Sequence, residues 1–80
     1  MIHELKVWTE YFDLILSGKK KFELRKNDRD FKTGDILFLR DYDPIKGLYT
    51  GRCTNKYITY VLNDALNFGL IDGYVILSLS

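Results

Sequence analysis

A single stretch of this chain carries a helical pattern, and it ends after about two turns. Tyr11, Phe12, Ile15 and Leu16 recur at helical spacing. Thr9 is the expected N-cap and Glu10 suits a first turn. Gly18 stands where a left-handed glycine closes a helix. The spacing therefore predicts a short helix over 9–17. A helix that short cannot carry a core, so the rest of the core must come from strands.

The remaining segments have strand periodicity. His3, Leu5 and Val7 share one face of 2–8. Over 20–26, Phe22 and Leu24 alternate with a charged face of Lys21, Glu23 and Arg25. Residues 27–33 are polar and read as a loop anchored by Phe31. Gly34-Asp35 opens an apolar strand, Ile36-Leu37-Phe38-Leu39, continuing through Arg40 and Tyr42. Asp43 to Gly47 is a turn, because proline presets φ and glycine supplies φ > 0. A strand over 52–62, a short irregular or one-turn helical link over 63–70 and a last strand over 73–79 follow. Five strands with one main helix in a single domain, 1–80, predict an α+β, mostly β fold. The expected form is a small five-stranded mixed or antiparallel barrel, with the helix covering one side. Closure would hide edges that strands this apolar leave sticky. Most of the amphipathic aromatics Trp8, Tyr42, Tyr49, Tyr57, Tyr60 and Tyr74 are expected in the core.

Several classes are excluded on composition. No apolar run reaches the roughly 18 residues a membrane helix needs, and the start of the chain has no secretory pattern. The expected location is the cytoplasm. One histidine and one cysteine make no zinc set, and no Gly-rich phosphate loop is present. No metal or cofactor is expected. Cys53, without a partner, reads as a small buried filler. The net charge is only +1, yet 19–32 holds seven basic and three acidic residues, a local +4. Such a segment either is a solvated turn or attracts a polyanion locally.

The segment Gly18-Lys19-Lys20-Lys21-Phe22-Glu23-Leu24-Arg25 fits G-x-K-x-x-E-x-R at the exit of the helix. With Asn27 to Phe31, Gly34-Asp35, Asp41 to Pro44, Tyr49 to Arg52 and Phe68-Gly69-Leu70, it resembles the ASCH domains of the PUA-like superfamily, in particular a small bacterial and phage subgroup. The likeness runs over nearly the whole chain. Thr9 departs from it, standing where proline is expected, and both residues start helices. The resemblance implies a PUA-like barrel with a cleft beside the helix, and a role in binding RNA or a nucleotide.

Read on their own chemistry, Lys20 and Arg25 are candidates to bind phosphate. Glu23 would orient Arg25 or accept from a base amino group. Lys21 lies in the same basic run. Arg29, Arg40 and Arg52 are further cation candidates, with pairing of the last two to Asp41 or Asp43 as the structural alternative. Trp8 and Tyr42 are the rings expected near the cleft, where a base could stack. His3, alone on an apolar face, reads first as a core residue. The expected function is a non-catalytic module for single-stranded RNA or a modified nucleotide, monomeric by default. The alternative is a small metal-independent enzyme, with Lys20, Glu23 and His3 as candidate catalytic residues. Some ASCH relatives are similar to acetylcytidine amidohydrolases, which use a lysine, a threonine and a glutamate. Carried over, the lysine falls on Lys20. The threonine falls on Glu23, which has no hydroxyl to act as nucleophile, and the glutamate matches no residue here.

Overall fold

In the computed structural model, which describes residues 1–80, every expected element is present. Strand β1 (Ile2–Trp8) buries His3, Leu5 and Val7 and exposes the residues between them. Helix α1 (Thr9–Leu16) follows without a loop and buries Phe12 and Ile15. Tyr11 and Leu16 stay largely exposed, so the buried stripe is narrower than the spacing predicts. Thr9 is not the N-cap. Trp8 holds that position in extended backbone, and the Thr9 hydroxyl instead donates to the Asp41 carboxylate at 2.6 Å, a stronger acceptor than water. At the other end the Gly18 N–H donates to the Ile15 carbonyl and the Lys19 N–H to the Leu14 carbonyl. This paired closure needs a left-handed residue, and Gly18 supplies it at φ 79°. It delivers Lys20 directly to the start of the next strand.

Strands β2 (Phe22–Lys26), β3 (Ile36–Asp43), β4 (Leu48–Leu62) and β5 (Tyr74–Leu79) complete one sheet, ordered β1-β3-β4-β5-β2. A single 3₁₀ turn, Leu66–Phe68, lies in the link before β5. β1 and β3 run parallel, as a strand–helix crossover allows, and the other three pairings are antiparallel. β4 begins earlier than the sequence suggests and does two jobs. Residues up to Tyr57 pair with β3, and residues from Ile58 onward pair with β5. A register shift between Ile58 and Tyr60 marks the change of partner.

The expected barrel does not close. β1 and β2 are the two free edges, and no ladder joins them. The sheet curls far enough to bring these edges face to face, and the core fills the hollow. Leu5, Val7, Phe12, Ile15, Phe31, Leu37, Leu39, Ile58, Val75, Leu77 and Leu79 form one cluster. Phe12 and Phe31 are its only aromatic members, and Tyr57, Tyr60 and Cys53 are exposed, contrary to expectation. Tyr57 and Tyr60 flank the buried Ile58, and Cys53 and Tyr57 alternate with the half-buried Thr54 and Lys56, so these side chains fall on the outward side of β4. No helix is long and apolar enough to cross a membrane.

The loop before β3 is tied to the core by charge as well as by Phe31. His3 Nε2 donates to Asp35 at 2.8 Å, and its ring meets Phe31 edge to face at 4.8 Å. The His3 bond holds the Asp35 carboxyl well below its ordinary value of 3.8, at about 2. Burial opposes this, and bonds from the Met1 amino group and the Lys32 N–H add to it. A carboxyl depressed on folding stabilises the fold above its ordinary value, and that stability is lost as pH falls through the folded value. Urea midpoints are therefore expected to drop steeply between about pH 4 and pH 2. In Asp35→Asn that part of the profile should be shallower; an identical acid limb in the variant would place the loss elsewhere.

Candidate functional site

The unclosed seam between β1 and β2 is the main concavity of the protein, with a volume of about 530 Å³. Peptide alternation decides what it presents. The Ile36 N–H donates to the Met1 carbonyl, so Met1, His3, Leu5 and Val7 turn their peptide groups to β3. Glu4 and Lys6 consequently turn theirs to the seam. Across it, Lys21 and Asn27 bond to β5, so Phe22 and Leu24 face the seam.

Three cationic side chains cap the seam's carbonyls. Arg29 donates to the Glu4 carbonyl at 2.6 Å, Arg25 to that of Lys6 at 2.6 Å, and Lys20 to that of Phe22 at 2.8 Å. The edges are thus blunted without a ladder, which offsets the cost of leaving them open. The acceptors are largely engaged, while peptide N–H groups still point into the seam.

At its centre lies Glu23. The charged face of β2 points inward, so Glu23 is buried while Phe22 and Leu24 are about half exposed. Each carboxylate oxygen has a cation: Lys20 Nζ at 2.8 Å and Arg25 Nε at 2.9 Å. Ion pairing makes the burial tolerable. Trp8 and Tyr11 form one wall, nearly parallel with ring centres 6.4 Å apart, and Lys6 lies beside them. The Lys20 ammonium sits 4.7 Å from the Phe22 ring centre and 5.6 Å from that of Tyr11. The cleft therefore combines three cations, one carboxylate and a stacked aromatic pair.

Residues 2–79 match a family described as Domain of unknown function (DUF3850). The chain belongs to this family. Over 78 residues it is 44% identical to a protein of Escherichia phage P2 described as "Uncharacterized 12.9 kDa protein in GpA 3'region". The alignment takes in 95% of this chain and 65% of the phage protein, so the chain spans just under two thirds of that relative.

In this DUF3850 member, the motif residues Lys20, Glu23 and Arg25 line the cleft together with Trp8. The other sequence candidates lie elsewhere. Lys21 borders a smaller hollow with Lys56 and Ser80. Arg29 bonds the far end of β1. His3 is a core residue held by Asp35, outside the cleft. Tyr42 is the register partner of Trp8 on β3, next to the cleft but not in its wall. Arg40 pairs with Glu4 at 3.3 Å and lies 3.9 Å from the Tyr49 ring centre.

Arg52 is engaged in a structural tie. Its Nε reaches Asp41 at 2.9 Å, and its terminal nitrogen reaches both Asp41 at 2.8 Å and Asp13 at 2.7 Å. Asp41 is 0% exposed and also accepts from Thr9 and Thr50, each at 2.6 Å. Opposite it, β4 bulges through Gly51 at φ 95°, which aims Thr50 and Arg52 at the same carboxylate. Burial pushes the Asp41 carboxyl up, but the bonds from Thr50, Thr9 and Arg52 outweigh it and hold it below its ordinary value.

Two wall residues, Lys6 and Tyr11, are not among the sequence candidates. Lys6 was findable, because alternation puts it on the face of Trp8. Tyr11 reads as part of the helix's core stripe, and only docking of α1 turns it to the cleft.

Proposed function

We propose that this chain is a non-catalytic module that binds single-stranded RNA or a nucleotide in the seam cleft. The observation that carries the reading is the pairing of a parallel aromatic wall, Trp8 and Tyr11, with Lys20 and Arg25 on a buried carboxylate, in a cleft that Lys6 also lines. Rings accept a base by stacking, and the cations with free peptide N–H groups suit phosphate oxygens. Pre-engaged carbonyls suit an anion better than an added peptide strand, which needs open acceptors as well as donors. The resemblance to ASCH domains supports the same ligand class. Binding is favoured over catalysis because both oxygens of Glu23 are already engaged by Lys20 and Arg25, leaving neither turned toward a substrate.

Salt dependence tests the assignment. With roughly three phosphates engaged, log affinity for a single-stranded RNA should fall against log salt with a slope of about −2. In Lys20→Ala/Arg25→Ala the slope should flatten to about −0.7. A slope the double variant leaves unchanged refutes the cleft as the phosphate site. Turnover of acetylcytidine or of RNA in EDTA, abolished by Glu23→Gln, would replace the binding module with an enzyme.

A further inference from the structure

We propose that the ligand is an oligonucleotide whose strand leaves the cleft at Trp8 and continues over the outer face of β1, β3 and β4, along Tyr42 and Tyr49. The inference rests on the cleft reading and extends it from one nucleotide to several. Trp8 and Lys6 belong to both surfaces. They line the cleft, and they also stand on the outward face of β1, where Trp8 is the register partner of Tyr42. Tyr42 in turn is the partner of Tyr49 on β4, and the two rings meet edge to face at 5.2 Å. Neighbouring strands lie about 4.8 Å apart, so Trp8, Tyr42 and Tyr49 stand on three successive strands of one face.

Each of the two outer rings carries a cation. The Lys6 ammonium is 4.2 Å from the Tyr42 ring centre, and the Arg40 guanidinium is 3.9 Å from that of Tyr49. A base stacked along these rings would bring its phosphate beside a positive charge already in place. Glu4 offsets Arg40 at 3.3 Å but is itself mostly exposed and free to swing aside. Core packing does not require this arrangement, since Trp8 and Tyr49 remain 49% and 39% exposed. Single-stranded nucleic acid is the partner that uses alternating rings and cations in this way, with little dependence on sequence.

The test compares uridine monophosphate with a tetrauridylate RNA at one salt concentration. The tetranucleotide should bind about tenfold tighter or more, as expected for added stacking. Tyr42→Ala/Tyr49→Ala should remove that gain and leave monophosphate affinity unchanged. Tyr42→Leu/Tyr49→Leu, which keeps the apolar bulk, should also lose it while melting near the wild type. Equal affinity for the two ligands overturns the path and leaves the cleft reading standing. So does a tetranucleotide affinity that the folded tyrosine variants retain. If neither ligand binds, the cleft reading fails and the path fails with it.

Discussion

Asp41→Ala is expected to cost about 3 kcal/mol of stability, the scale for breaking a buried ion pair by removing one partner. For a domain this small that is a fall of roughly 15 °C in melting temperature. The reason is that one carboxylate joins four places in the chain: Thr9 at the head of α1, Asp41's own strand β3, and Thr50 and Arg52 on either side of the β4 bulge. Without it, the Thr50 hydroxyl loses its acceptor, Thr9 keeps only the Tyr42 carbonyl at 3.3 Å, and Arg52 keeps only Asp13. Nucleotide affinity of the folded fraction should be little changed, because none of these groups lines the cleft. Thermal melts with affinity measured well below the midpoint check both halves. A loss below about 1 kcal/mol would mean that the tie is no stronger than a surface pair.

The second large effect separates stability from function at Glu23. Glu23→Gln should destabilise the fold by about 2 kcal/mol, since Lys20 and Arg25 would then face each other across a partly buried site without compensating charge. The triple variant Lys20→Met/Glu23→Leu/Arg25→Met should lie within about 1 kcal/mol of the wild type, because apolar residues of similar volume avoid the desolvation of all three charges. It should also bind no nucleotide. That pair of results would assign the triad to a ligand. Equal destabilisation of the single and triple variants, in chemical denaturation, would assign the triad to the fold instead.

The legible and illegible parts of this protein divide along a physical line. Local rules operate within a few residues. The Gly18 closure, the alternation of β1 and β2, the Asp43 to Gly47 turn and the anchoring role of Phe31 are all of that kind, and each matches the structure. The spacing of Glu23 and Arg25 belongs with them, since two positions apart on a strand their heads share a face, and Lys20 at the helix exit stands close enough to join them. Alternation, however, is symmetric. It says that Glu23 and Arg25 share a face, not that this face points inward while Phe22 and Leu24 are half exposed.

The choice between cation roles was also out of reach. Arg25 lines the cleft and Arg52 is consumed by Asp41, although both are strand arginines and the sequence left Arg52 open to either role. Asp41 lies eleven positions from Arg52, and only the β3–β4 register with its bulge brings them together. Whether the sheet would close was decided at the same level.

The sequence by itself determined the elements, their order and the shared strand face of Glu23 and Arg25, because those follow from dihedral preference and side-chain period over short distances. Only the tertiary structure decided that the edges of β1 and β2 would face each other unpaired, with side chains capping their carbonyls. That outcome depends on how far the fifteen-residue strand β4 bends between its two partners, which is set by packing of the whole core and not by any one segment.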